Sequence, residues 1–288
     1  VDPVALRRLD EIAGDATPGT VEEEVAGWWC KAAPDVPFRR ANVVQPPVGA
    51  GLDPEACRSA LAAVRTWCAE RGQRLIVQVS SADPDAAVLD ALLAAEGLVV
   101  EAPVHVLVAD LAALKPVDRP GDAPAIDQVA PGTPTIDRPG GAGVAVAVRV
   151  GVDEPWARAH GAIPGGGPTQ EVRTAAYGRM LAALGDRALA AAAVDERWAT
   201  IGLGFGLVDR GWLGIFGMAT DPAHRRRGIA SSIVRALAAS AIDRHAAHAY
   251  LQVETDNGGA IACYERLGFV RSHGYHYRSA GLDRTIGC

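Results

Sequence analysis

The stretch Leu213-Gly-Ile-Phe-Gly-Met-Ala-Thr-Asp-Pro-Ala-His-Arg-Arg-Arg-Gly-Ile-Ala-Ser231 limits the folds open to this chain more than any other. Its apolar opening, residues 213–218, reads as a buried strand. Asp221-Pro222 turns the chain, and from about Arg227 to Arg244 a helical pattern carries Ile229, Ile233 and Leu237 along one face. Arg225, Arg226 and Arg227 therefore stand where a helix begins. That is the wrong end for cations, because a helix N-terminus carries positive partial charge. Nor do His224, Arg225 and Arg226 belong to the side chains that usually cap the first free N–H groups. An anion at that end resolves both oddities: a phosphate accepts the free N–H groups, and the arginines neutralise it. Gly228 then lets it approach the backbone without meeting a Cβ. A solvated charge run, the plainer reading, explains the arginines but not the strand before them or the uncapped helix after.

Any such basic patch is local, because the formal net charge of −6 argues against a nucleic-acid partner. A chain of 288 residues can bury a sizeable core and has room for two domains. No apolar run reaches the roughly 18 residues of a membrane span, and Asp2, Arg7, Arg8 and Asp10 do not make a signal peptide. The expectation is a cytoplasmic protein without a membrane partner. Cys30, Cys57, Cys68, Cys263 and Cys288 are odd in number, scattered, and without C-x-x-C spacing. They indicate neither a metal site nor a disulfide framework, and reduced thiols are expected.

In chain order, residues 1–27 are a charged helix candidate and a loop, with Glu22, Glu23 and Glu24 on the surface. Trp28, Trp29 and residues 38–44 read as short strands. Asp53-Pro54 opens an amphipathic helix stopped by Gly72, with Asp as cap and Pro in the first turn. A strand at 75–79, a helix from Asp83-Pro84 to Gly97 and a strand at 98–108 complete this half. Residues 115–142 form a linker rich in Pro and Gly, of which 125–129 can still pair with a sheet. The second half opens with alternating Val144, Val146, Val148 and Val150. Helices follow around Trp156 and His160 and from a Thr169 cap to about Leu184. Strands are expected at 189–194, 199–208 and 212–220. After the helix at 227–244 come a strand at 250–254, a helix at 257–267 and a terminal strand pair across Gly274.

The halves echo one another. Residues 75–80 and 88–99 match residues 250–254 and 259–270 as strand, helix, Gly stop and strand, with Gly97 aligned to Gly268 and Leu93 to Tyr264. Any two strand-helix-strand units share part of this likeness. Only the second half carries the arginine cluster.

Two segments of that half go beyond generic phosphate binding. Arg225-Arg-Arg-Gly228-Ile-Ala230 resembles the Arg/Gln-x-x-Gly-x-Gly/Ala pyrophosphate loop of the GNAT superfamily of N-acetyltransferases. Asn257-Gly-Gly-Ala260-Ile-Ala-Cys-Tyr264-Glu-Arg-Leu-Gly268-Phe269 is similar to its Asn-x-x-Ala-x-x-x-Tyr-x-x-x-Gly-Phe segment. The likeness covers about residues 144–280. The repeat also resembles tandem GNAT enzymes such as mycothiol synthase, in which one half has lost its cofactor site. The resemblance implies an α/β (α+β) fold of two tandem GNAT-like mixed sheets flanked by helices. Residues 1–114 would be a degenerate half without the cofactor loop, 115–142 the linker, and 143–288 the catalytic domain.

The resemblance also implies acetyl-CoA as cofactor. Backbone around Met218, Ala219 and Thr220 would pair with its pantetheine arm. N–H groups of Arg226, Arg227, Gly228, Ile229, Ala230 and Ser231, with Arg225, would hold the pyrophosphate. Asn257 would contact the arm or cap its own helix. Tyr264 would donate a proton to the departing thiolate, since a phenol of pKa ~10 is a competent acid if its O–H reaches the sulfur. A core aromatic beside Ile261 and Leu267 is the other reading of that position.

An amine of pKa ~10 must lose a proton before attacking a carbonyl. Many family members carry a carboxylate on the central strand eight residues before the proline, where this chain has Gly214. Glu254 is the best remaining carboxylate, with Asp256, His273 and His276 as further candidates. Trp156, His160, Trp212, Tyr275 and Tyr277 are expected around the acceptor. The implied activity is direct acetyl transfer in a ternary complex to an amine (small molecule, peptide or protein lysine), by a monomer or homodimer. The rival is an acyl-CoA-binding regulatory or interaction protein without turnover.

Overall fold

A computed structural model describes residues 3–47, 51–114, 144–152, 154–163, 170–197 and 199–280. The expected linker and the Thr169 cap lie outside the described residues. Among the described residues no helix is long and apolar enough to cross a membrane.

The elements are α1 (Pro3–Asp15), β1 (Val21–Val25), β2 (Trp28–Ala32), β3 (Val44–Gln45), α2 (Pro54–Glu70), β4 (Ile76–Ser80), α3 (Ala86–Ala95) and β5 (Val99–Asp110). Then follow β6 (Ala145–Val150), α4 (Glu154–Ala162), α5 (Gln170–Leu184), β7 (Ala188–Val194), β8 (Thr200–Asp209), β9 (Trp212–Thr220), α6 (Ile229–Ile242), β10 (His248–Glu254), α7 (Gly258–Arg266) and β11 (Val270–Ser279). The chain forms two compact units that do not follow the halves of the sequence. The first comprises Val1–Val106, Glu254–Asp256 and Ser272–Cys288; the second comprises Leu107–Val253 and Asn257–Arg271. The first therefore draws a segment from the far end of the chain, and the second begins inside β5, before the expected linker.

In the first unit the strand order is β1-β2-β3-β4-β11, with β5 next to β11. From β1 to β11 pairing is antiparallel except between β3 and β4, so this sheet is mixed. Asp53 caps α2 by accepting from Glu55 N and Ala56 N at 3.1 and 3.4 Å, and Pro54 needs no partner at the first turn. Leu61, Val64, Trp67 and Cys68 bury its inner face with Leu89 and Leu93 of α3. Two expectations fail here. Residues 38–44 give a single 3₁₀ turn, Arg39–Ala41, and only Val44 joins a strand. The Asn42 side chain bonds Ala33 N, Val36 O and Phe38 O, and so satisfies a loop where a ladder was expected. Nor does Gly274 split the terminus into two strands. It exchanges bonds with Ser81 (N to Oγ 3.1 Å, O from N 2.9 Å), and β11 runs through it against β4.

In the second unit the order is β10-β9-β8-β7-β6, with the late part of β5 beside β10. The β6 to β9 strands are antiparallel neighbours, and β9 pairs parallel with β10. Gly202, Gly204 and Gly206 alternate along β8 and so share one face. A Cβ on Gly202 would come within 2.6 Å of Ile229 Cγ2, and one on Gly206 within 2.6 Å of Leu213 Cδ1 and 3.3 Å of Leu237 Cδ2. The strand gives up its own side chains so that α6 can lie close. Ile229, Ile233 and Leu237, spaced as expected, fill that space and are at most 2% exposed. Helix α6 begins at Ile229, two residues later than expected.

Candidate functional site

Strands β9 and β10 pair from Trp212–His248 to Ile215–Leu251, and the ladder stops there although both strands run on. On its other side β9 carries a bulge. Phe205 faces Phe216 and Leu203 faces Ala219, so Gly217 and Met218 together oppose Gly204. Gly217 sits at φ +58°, a left-handed conformation that favours glycine. Beside this stretch opens a cleft of about 690 Å³, lined from β9 by Met218, Ala219 and Thr220. Arg225, Arg226 and residues 228–231 form its next wall, and Asn257 to Arg266 contribute a third.

The second wall is the start of α6. Asp221 accepts from Ala223 N at 2.7 Å and holds the turn. Arg226 then adopts φ +66°, and Gly228, the N-cap, φ +80° and ψ 2°. No side chain caps α6. The Ser232 N–H closes the first helical bond to Gly228 O at 2.9 Å, which leaves the N–H groups before it at the cleft wall. A left-handed conformation at a non-glycine residue costs of order 1–3 kcal/mol and is kept where surrounding structure requires it. A Cβ on Gly228 would meet nothing within 4 Å, so its place is on the open side of the turn. Arg225 and Arg226 line the cleft with Arg266 and His224, and among the described residues no Asp or Glu does. Among the described residues none of these arginines is in a salt bridge. Arg227 is exposed and outside the lining.

The third wall is α7. Asn257 accepts from Ala260 N at 3.2 Å, so it caps its helix and borders the cleft as well. Tyr264 is 8% exposed, packs edge-on against Phe269 with centroids 6.0 Å apart, and still lines the cleft. Both readings of this residue, core aromatic and site phenol, describe its position. Burial, with a smaller push from Cys263, raises its pKa to about 12. Cys263 Sγ lies 3.5 Å from Ser231 Oγ.

Other candidates lie elsewhere. Glu254 is exposed at the end of β10, 3.7 Å from Arg39, and Asp256 is exposed; neither lines the cleft. His273 is bound to Asp10 at 2.8 Å and His276 to Asp90 at 2.6 Å, within the first unit. Tyr275 and Tyr277 are buried there against each other, and Arg40 donates to the Tyr275 hydroxyl at 3.2 Å. At Gly214 a Cβ would stand 2.6 Å from Tyr250 Oη and 2.6 Å from Phe216 Cε2. The room a carboxylate would need is filled by a phenol and a benzene ring.

Sequence reading assigned neither Ile163 nor Arg266 to the lining, nor the bulge at Gly217 beside it. A glycine inside a strand pattern signals a bulge, and Gly217 offered that signal. Trp156 and His160 belong to the support of that bulge. Trp156 Nε1 donates to Ala191 O at 3.0 Å, and its ring stacks on His160 at 5.1 Å. His160 Nε2 reaches Gly217 O at 2.7 Å.

Known proteins share this fold. A GCN5-related N-acetyltransferase from Kribbella flavida superposes with a TM-score of 0.60 at 17% identity, over 91% of this chain and 90% of that one. A tandem GNAT protein from the clavulanic acid biosynthesis pathway gives 0.60 at 17% identity, over 84% and 76%. At that identity they establish the fold, which is the tandem GNAT fold expected above. By sequence, N-alpha-acetyltransferase MAK3 of Arabidopsis thaliana is 39% identical over 61 residues, 21% of this chain. The chain spans about a third of that relative's length (32%). A family model described as "Probable histone acetyltransferase Rv0428c C-terminal" matches residues 4–278, and to that GNAT acetyltransferase family the chain belongs.

Proposed function

We propose that this chain transfers an acetyl group from acetyl-CoA to an amine by direct attack within a ternary complex. The observation that carries the reading is the start of α6: a left-handed helix N-terminus with no side-chain cap, beside Arg225 and Arg226, on a cleft that Tyr264 also lines. Helix N–H groups and guanidinium groups together suit a diphosphate. Arg225 and Arg226 would grip it, with N–H groups of residues 226–231. The edge of β9 at 218–220, which β10 leaves unpaired, suits an extended amide-bearing arm. Acetyl-CoA supplies the activated thioester. The neutral amine nitrogen would bond to the carbonyl carbon as the C–S bond breaks. The Tyr264 O–H would give its proton to the departing thiolate, and the proton lost from the amine nitrogen would pass to solvent, from which the phenolate is reprotonated.

The first unit holds no cofactor in this reading. Asp53 caps α2, and Asp85 Oδ2 takes the N–H groups of Gly51 and Leu52 at 2.8 and 2.9 Å. A carboxylate of the chain itself stands there in place of a phosphate. Glu254 is given no step in this reading, since it stands 3.7 Å from Arg39 and outside the cleft lining. The absence of acidic side chains from the lining also favours a second reading, an acyl-CoA-binding regulator without turnover. The acceptor is an amine; the family's description points to protein lysine and the Arabidopsis relative's name to an N-terminal amine.

Calorimetry with CoA and acetyl-CoA, followed by thiol release across a panel of small amines, peptides and histone tails, separates the readings. Binding with release for one amine class supports transfer, and binding without release for any supports the regulator. Arg225→Glu with Arg226→Glu should weaken CoA binding at least tenfold. No heat from the wild-type chain, or no effect of the charge reversal, overturns both.

A further inference from the structure

We infer that His160 is a positioning residue for the transfer: it fixes the Gly217–Met218 peptide so that the Met218 N–H serves the thioester oxygen. The inference rests on the transferase reading. His160, on α4, is 2% exposed, and its Nε2 lies 2.7 Å from Gly217 O. A carbonyl oxygen only accepts, so Nε2 carries the hydrogen and donates. Stacking on Trp156 at 5.1 Å fixes the ring plane, and Trp156 is itself tied to Ala191 O of β7. The contact is close on both sides, since a Cβ on Gly217 would stand 3.3 Å from His160 Nε2 and 3.0 Å from the Phe205 ring.

The peptide this bond holds is the one that departs from the ladder. Gly217 and Met218 are the two bulge residues, and Gly217 has the left-handed φ. In a trans peptide the C=O and the next N–H point to opposite sides. Pinning Gly217 O toward α4 therefore turns the Met218 N–H away from α4, on a residue that lines the cleft. A hydrogen bond accepted by the carbonyl also polarises the amide and strengthens its N–H as a donor. A donor already aimed at the oxygen where charge develops needs no reorganisation during the reaction.

The test compares His160→Phe, which keeps the ring but loses the donor, with His160→Gln, whose amide N–H reaches about as far as Nε2. His160→Phe should retain CoA affinity within about twofold and lose kcat by roughly 10- to 100-fold, the cost of a loosened donor. His160→Gln should recover most of that loss. Infrared spectra of bound acetyl-CoA labelled at the carbonyl should show a hydrogen-bonded band in wild type and Gln, shifted toward the free value in Phe. Nitrogen-15 spectra of the wild-type chain need no variant: His160 should be protonated at Nε2, with that proton's resonance moving when acetyl-CoA binds. Equal kcat and equal bands in wild type and Phe, or an Nε2 without its proton, overturn the inference. Wild-type protein that binds no acetyl-CoA overturns the transferase reading instead.

Discussion

Tyr264 sits where core and cleft meet, and that position sets what its phenol can do. Burial raises its pKa to about 12, so it remains protonated, and therefore a donor, at any working pH. An ordinary thiol titrates near 8.5, so handing the proton over completely would run uphill by about 3 to 4 units. The magnitude favours a hydrogen bond to the sulfur that strengthens as the C–S bond lengthens, with the proton delivered late. Tyr264→Phe keeps the edge-on packing against Phe269 and removes only that bond. It should lower kcat by about one to two orders of magnitude while calorimetric CoA affinity stays within about twofold. Since the limb of this phenol lies near pH 12, wild-type kcat should show no fall due to it between about pH 6 and 10. A Phe variant with wild-type turnover removes the role. Gly214 is the opposite case at the same scale. Its Cβ space belongs to Tyr250 and Phe216, so a carboxylate is absent there for steric reasons that a substitution alone does not repair.

At the scale of the element, the proposed anion site depends on how closely α6 lies on β8. Ile229 is the first residue of α6 and also the side chain that fills the face of Gly202, so packing and the proposed phosphate recognition share one residue. Gly202→Val should push the start of α6 off the sheet. Overpacking of this kind costs about 1–3 kcal/mol. If half of it falls on the helix start, CoA affinity drops by roughly two- to tenfold at 1.4 kcal/mol per decade. Calorimetry reads this directly, and unchanged affinity at a lowered Tm would show the two functions of Ile229 to be separable. This element was largely legible beforehand, because Ile229, Ile233 and Leu237 recur with helical spacing and the arginines precede them. The bulge in β9 was not read, because its left-handed Gly217 is held in place by His160, and nothing local to either residue names the other. Residues 38–44 misled for the opposite reason. Their strand-like composition was outweighed by one side chain, Asn42, that satisfies three backbone groups of a loop.

For the whole molecule, the division of labour between units differs from the division of the sequence. The repeat of strand, helix and strand was visible, but pairing partners are set by long-range contacts that no periodicity encodes. Thus β11, from the end of the chain, lies against β4 with Tyr275 facing Ser80. In exchange, Leu107, Ala109, Leu111 and Leu114 from the first half are buried in the core that surrounds α6. Leu111 N also donates to Ala247 O at 3.0 Å, just before β10. A fragment of residues 143–288, cut where composition suggests a domain, would lack those four side chains. Losing a buried Leu costs about 2–5 kcal/mol, and three such losses rival the roughly 5–15 kcal/mol that holds a whole domain together. The fragment should show no cooperative thermal transition and no heat with CoA. A chain that begins at residue 107 restores those contacts and should recover part of the CoA binding. If the shorter fragment melts cooperatively and binds CoA as the whole chain does, the borrowed leucines are dispensable, and the anion site stands on β6 to β10 and α6 alone.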